Sequence, residues 1–266
     1  MTNCYRFEFI QKKGSFPLDD VVDATFIMTM ENSSRHKHIY DHIVPKIPVS
    51  NIYIQFNKGF KKCEKNIVQK NTHDLIHANQ NIFQIAKQNG WNYIMLIEDD
   101  ALVSDRLDHL TCCEIKTFLK SRPIGCYNLG ACPVLQNPLY LLNTHQHHLV
   151  SQSTHACVYH RDYFVDRLEN GYHHLGEMTG TDTTNTLSLR CFSYHKPLIY
   201  QTYFNNESMM NDISFGRYIR VFHNLVFSNG VENGFDRVYR IGNVMSFLLL
   251  TLWIYFVILL YKRFIK

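Results

Sequence analysis

The chain has 266 residues, with 27 Lys and Arg against 23 Asp and Glu and a formal net charge of +4. That length suits one large α/β domain with ample sequence for a core, and the composition excludes broad disorder. It contains no basic tract interleaved with aromatics of the kind that follows a nucleic-acid backbone, so nucleic acid is not an expected partner.

Residues 1–22 form a lead-in or an edge element. Residues 23–30 read as the first core strand, followed by a polar loop at 31–35 and a helix through Tyr40 and Ile43 that Pro45 and Pro48 end. Residues 49–56 make a second strand of alternating character. Over 72–89, Leu75, Ile76, Ala78, Ile82, Phe83, Ile85 and Ala86 recur at helical spacing, with Asn71 or Thr72 as cap and Gly90 as terminator. That helix delivers the chain to 93–97, an unbroken apolar run suited to a strand covered on both faces. Strand, helix, strand, helix, strand is the pattern of a parallel α/β sheet. A helix after Asp105 to about Lys120, a strand at 124–130, a strand pair at 148–159, a helix at 161–169 and a late strand at 191–201 follow. Residues 171–183 carry glycines and threonines and are expected to lie over the sheet opening. Residues 202–240 show no regular pattern, and 211–240 read as an irregular connector.

Residues 244–261 carry no charge and close with Lys262 and Arg263, a length near the lower limit for crossing a bilayer. They are expected to be a single C-terminal membrane anchor. The N-terminus shows no signal-like segment, so residues 1–240 are expected to face the cytosol. The positive-inside rule pulls the other way, because Lys262, Arg263 and Lys266 follow the span. The eight cysteines contain no Cys-x-x-Cys pair, and free thiols in a reducing compartment are the simpler reading. Histidines concentrate at 145–174 without the spacing of a structural zinc site. His155, inside an apolar strand, is expected to be a core histidine satisfied by a backbone carbonyl.

The chemistry concentrates where the 93–97 strand runs into Glu98, Asp99 and Asp100. Three adjacent carboxylates repel one another unless a cation sits among them, and the carboxyl ends of parallel strands are where ligands bind. Hard divalent ions take one or two carboxylates plus substrate phosphates. Capping of the next helix is the plainer explanation of the same acids.

Four pieces together resemble the GT-A class of nucleotide-sugar glycosyltransferases, and within it family 25, the lipooligosaccharide and collagen galactosyltransferase type, as well as GT-A-like proteins of large DNA viruses. They are the segment 26–35 ending in Arg35, the Leu96-Ile-Glu98-Asp99-Asp100-Ala101 motif, Ser153-Thr154-His155-Ala156 with Tyr159, and Gly180-Thr181-Asp182 followed by Tyr194 to Gln201. Thr29 stands where the family has asparagine. The resemblance covers about residues 23–210. It implies a Rossmann-like, mostly parallel sheet flanked by helices, a nucleotide-sugar donor (a UDP-sugar foremost), Mn²⁺ or Mg²⁺, and a glycan or protein acceptor. By position it implies metal ligation by Asp100 with Asp99. Donor binding falls to Arg35, Glu98, Asp99 and Gln201, and the general base is Asp182, with Glu177 in reserve. Two other functions fit the residues: a non-catalytic membrane-tethered scaffold of the same fold, and a metal-dependent phosphoester hydrolase.

Overall fold

The computed structural model describes residues 4–65, 68, 71–121, 124–170, 191–202 and 230–264. The loop expected at 171–183, with Asp182 and Glu177, lies outside the described residues.

Eleven strands are described. In chain order they are β1 (Tyr5–Gln11), β2 (Ala24–Met30), β3 (Asn51–Asn57), β4 (Tyr93–Glu98), β5 (Ala101–Val103), β6 (Cys126–Asn128), β7 (Cys132–Gln136), β8 (His145–Gln152), β9 (Ala156–His160), β10 (Cys191–Tyr194) and β11 (Ile199–Gln201). The helices are α1 (His36–His38), continued by a π turn at Ile39–Ile43, then α2 (Asn71–Asn89), α3 (His109–Ser121), α4 (Arg161–Asn170) and α5 (Val231–Phe264).

Nine strands form one sheet in the order β1-β3-β2-β4-β9-β6-β10-β8-β7. The pairings β3·β2, β2·β4 and β6·β10 are parallel, and β9 lies antiparallel between β4 and β6. Taking the antiparallel pairs into account, β3, β2, β4, β6, β10 and β7 run one way and β1, β9 and β8 the other. The α/β expectation of a mostly parallel sheet flanked by helices holds. The lead-in turns out to be an edge element, because β1 closes the sheet antiparallel to β3.

The unbroken apolar run of β4 is explained by cores on both faces. Tyr93, Met95 and Ile97 pack with Ile39 and Ile43 and with Ile115 and Leu119 of α3, whereas Ile94 and Leu96 pack with Ile82, Phe83 and Ala86 of α2 and Phe164 of α4. The period of two sends alternate side chains to opposite layers, so both must be apolar. α2 ends as its sequence demands, at Gly90 with φ of +71°.

The late strand is two strands. After β10 the chain turns, and β11 leaves the main sheet to pair antiparallel with β5, opposing Gln201 to Ala101. This brings the 199–202 segment back to the acidic motif: Thr202 N and Oγ1 both donate to the Asp100 carbonyl at 2.8 Å.

Two expectations need correction. Residues 231–240, read as part of an irregular connector, are the first turns of α5. Their charges escape a helical reading because they are spent on the domain: Arg106 makes two bonds to Asp236 at 2.7 and 2.8 Å, and Tyr200 Oη donates to Glu232 at 3.0 Å. Phe235 and Tyr239 are buried beside them, Phe235 against the Tyr200 ring. Cysteine use differs as well. Cys4 and Cys63 form a disulfide, while Cys112, Cys113, Cys126, Cys132, Cys157 and Cys191 are free. A pair 59 residues apart follows no spacing rule that a sequence reveals. The disulfide leaves the cytosol-facing, reducing placement without structural support.

Candidate functional site

A cavity of about 550 Å³ opens at the carboxyl ends of β2, β3 and β4, closed on one side by α2 and on the other by β11. Its lining brings together Arg35, Glu98, Asp99, Asp100 and Gln201, residues spread over 166 positions (201 minus 35). Five of the seven expected site residues therefore share one cavity, and the remaining two, Asp182 and Glu177, are not described.

The adjacent acids have different surroundings. Asp99 Oδ2 accepts from Thr29 Oγ1 at 2.6 Å and from Ser33 Oγ at 3.0 Å, and its Oδ1 accepts from Arg35 Nη1 at 2.8 Å. The side chains of Arg35 and Asp99 are only 13% and 11% exposed, so this is a mostly buried charge-assisted bond. With three donors on it, Asp99 organises the loop after β2. Thr29 and Ser33 carry no signal of this role in sequence, because neither residue type is diagnostic and the contact spans 70 positions for Thr29.

Asp100 is satisfied on one oxygen only. Its Oδ2 accepts from Gln201 Nε2 at 3.0 Å, and Arg35 Nη1 stands 4.0 Å away. Its Oδ1 is buried with no hydrogen-bond partner among the described residues. Burial raises the carboxyl to about 6, opposed by the Gln201 bond and the Arg35 charge and reinforced by neighbouring Asp99. At neutral pH it is an ionised, under-compensated carboxylate in a cavity wall, a state that a cation would relieve. Gln201 is committed to orienting this group. Glu98 is half-buried in the same lining, its backbone N held by the His155 carbonyl at 2.8 Å.

The loop that carries Arg35 is fixed at both ends. Arg35 N donates to Ser33 Oγ at 3.2 Å, His36 Nε2 bonds the Met30 carbonyl at 3.0 Å, and His38 Nε2 bonds the Ala101 carbonyl at 2.8 Å. The β11 side is fixed by His155. Its Nε2 donates to the Ile199 carbonyl at 2.9 Å, and its Nδ1 accepts from Ser153 Oγ. Burial drives His155 down to about 4, so it is neutral and carries its proton on Nε2. The backbone-satisfied core role expected for it is the one it has.

At the far end, α2 contributes Asp74, which the sequence reading did not single out. Asp74 pairs with Lys65, whose side chain is 1% exposed and also donates to Asn57 Oδ1 at 2.6 Å. Desolvation lowers the Lys65 ammonium and Asp74 counters it. This pair is internally neutral. The acidic end is not: three carboxylates face one guanidinium in the lining. Among the described residues no three His, Cys, Asp or Glu side chains converge on one point, so any ion would depend on Asp100 together with oxygens from a ligand or water.

No family model and no curated protein matches the chain. Among solved structures, the chain is similar to A197 from STIV, at 10% identity over 68% of this chain and 85% of that one, with a TM-score of 0.39. It is also similar to a glycosyltransferase involved in the glycosylation of the major capsid of PBCV-1, at 12% identity over 74% of this chain and 76% of that one, with a TM-score of 0.32. Neither likeness assigns the chain to a family.

Proposed function

We propose that this chain is a metal-dependent glycosyltransferase that moves a sugar from a nucleotide-sugar donor, a UDP-sugar foremost, to a hydroxyl of a glycan or protein acceptor, and that α5 tethers it to a membrane. The observation that carries the reading is Asp100: a buried carboxylate with one unpartnered oxygen, in a negatively biased cavity at the end of the central strand. Asp100 would hold Mn²⁺ or Mg²⁺. When bound, such an ion neutralises charge that develops on a diphosphate leaving group.

The chain's own residues do the remaining work. Gln201 holds the Asp100 carboxylate in one orientation, so little reorganisation is needed when a ligand arrives. Arg35, fixed by Asp99 in the cavity wall, would meet donor phosphates. Asp182 remains the proposed base for the acceptor hydroxyl, with Glu177 in reserve. For the anchor, α5 is long and apolar enough to cross a bilayer, and all of its apolar side chains from Phe247 to Tyr261 but Leu250 are exposed.

The test is nucleotide release from UDP-sugars by the full chain in detergent or nanodiscs with Mn²⁺. Asp100→Asn is expected to lower the rate by about 100-fold or more, the scale set by removing one preorganised electrostatic group. The mutual engagement of Arg35 and Asp99 favours one second reading, a non-catalytic scaffold that keeps the fold. Absence of nucleotide release from every common donor would select it.

A further inference from the structure

The helix α5 leaves the domain across the last strand of the sheet. β7 ends the strand order, and the backbone N of its Gln136 donates to Ser246 Oγ at 2.8 Å. Ser246 is fully buried and is the last buried side chain along the helix among the described residues. Beyond it, Phe247, Leu248, Leu249, Leu252, Trp253 and Ile254 are all exposed. The crossing from protein-covered to uncovered helix thus falls at the carboxyl end of β7.

The chain continues from that point into the turn Pro138–Tyr140, which packs beside α5. Leu139 is 82% exposed and Leu142 is 101% exposed. Two bare leucines so close in sequence would ordinarily fold inward or be replaced. Here the turn is held from inside. Asn137 Oδ1 accepts from Leu139 N at 3.1 Å, Tyr140 N donates to the Asn137 carbonyl at 2.9 Å, and Gln146 Nε2 donates to the Leu141 carbonyl at 2.8 Å. Tyr140 packs edge-on against Phe192 and His147. The scaffold faces inward and the leucines face out, and no charged residue occurs from 131 to 144.

We infer that this turn is a second membrane contact, in which Leu139 and Leu142 enter the headgroup and acyl boundary of the bilayer that α5 crosses. The occupant is a lipid surface because the patch adjoins the place where an apolar helix emerges, and because apolar side chains beside an uncharged turn are what that boundary takes up. The inference rests on the reading of α5 as a span. Its consequence is mechanical: two points of contact keep the domain from swinging about its anchor, so the cavity holds one orientation to the membrane surface.

Quenching by lipids with brominated acyl chains tests this on the full chain in liposomes. One protein carries Trp91→Phe and retains Trp253 as the reporter of α5. A second adds Trp253→Phe and Leu142→Trp, a fully exposed position where no packing is lost. A third replaces Leu142→Trp with Phe9→Trp on β1, the opposite edge of the sheet. The expected result is loss of most emission from Trp253 and from the indole introduced at position 142, with none lost at position 9. Quenching of Trp253 alone overturns the second contact and leaves the anchor standing. No quenching of Trp253 overturns the anchor and the inference with it. A blue-shifted, unquenched indole at position 142 whose emission shifts red on dilution means that a second copy covers the turn, and it also overturns the inference.

Discussion

Asp99 and Asp100 show how much two neighbouring identical residues can diverge. A strand that ends in a turn sends successive side chains to different partners, so Asp99 is bonded by Thr29, Ser33 and Arg35, while Asp100 is bonded by Gln201 with Arg35 4.0 Å away. The sequence identifies the acidic motif but does not rank its members, because the ranking depends on contacts 64 to 101 positions away. His155 makes the same point with a quantity attached. Its folded value of about 4 lies below its ordinary 6.5, so the unfolded chain takes up the proton first. Stability is therefore held above about pH 6.5 and lost as the pH falls toward 4, reaching a loss of about 2 kcal/mol by pH 5 for this group. His155→Gln is expected to be less stable at pH 8 but to lose less stability between pH 7 and pH 5. Chemical denaturation at the three pH values measures both, and an unchanged slope for the variant would contradict the assignment.

At the level of elements, the cavity depends on β11 returning to the end of β4. Leu198 N and Ile199 N both bond the Leu129 carbonyl, at 2.8 and 3.0 Å, while His155 holds the Ile199 carbonyl. This close approach leaves room for hydrogen only at Gly130, where a Cβ would lie 2.2 Å from His155 Nε2 and 2.5 Å from the Ile199 carbonyl oxygen. Gly130→Ala should push β11 away, break the Gln201–Asp100 bond and destabilise the fold by roughly 1–3 kcal/mol, as overpacking does. Thermal unfolding together with divalent-ion binding reads this out; a variant with wild-type values for both would show that β11 does not position Asp100. The α2 and β4 elements were legible because seven apolar residues at helical spacing and five consecutive apolar residues have few other solutions. The β10–β11 division was not, since 191–201 reads as one late strand and the change of sheet is fixed by Leu129, a tertiary partner. The start of α5 was hidden for a similar reason. Its polar residues suggest solvent, but Arg106 and Tyr200 bind them.

For the whole molecule, fold class and the presence of an apolar C-terminal helix were readable from pattern, whereas the side of the membrane was not. Two features agree on the side. The Cys4–Cys63 disulfide fits an oxidising compartment, and Lys262, Arg263 and Lys266 after the span draw the C-terminus to the cytosolic face. With α5 as a span, both would set the domain on the non-cytosolic side, opposite to the placement expected from its order in the chain. In sealed microsomes the domain should resist added protease until detergent is present; digestion without detergent would return it to the cytosol.

The central claim is that the cavity grips a cation through Asp100. Electron paramagnetic resonance of Mn²⁺ titrated into the full chain, with and without UDP, tests it most directly. The account predicts loss of the free-ion signal on wild-type protein, stronger in the presence of UDP, and no such loss with Asp100→Asn, while Asp105→Asn, at an exposed acid outside the cavity, behaves as wild type. Equal binding by wild type and Asp100→Asn, or none by either, would contradict it.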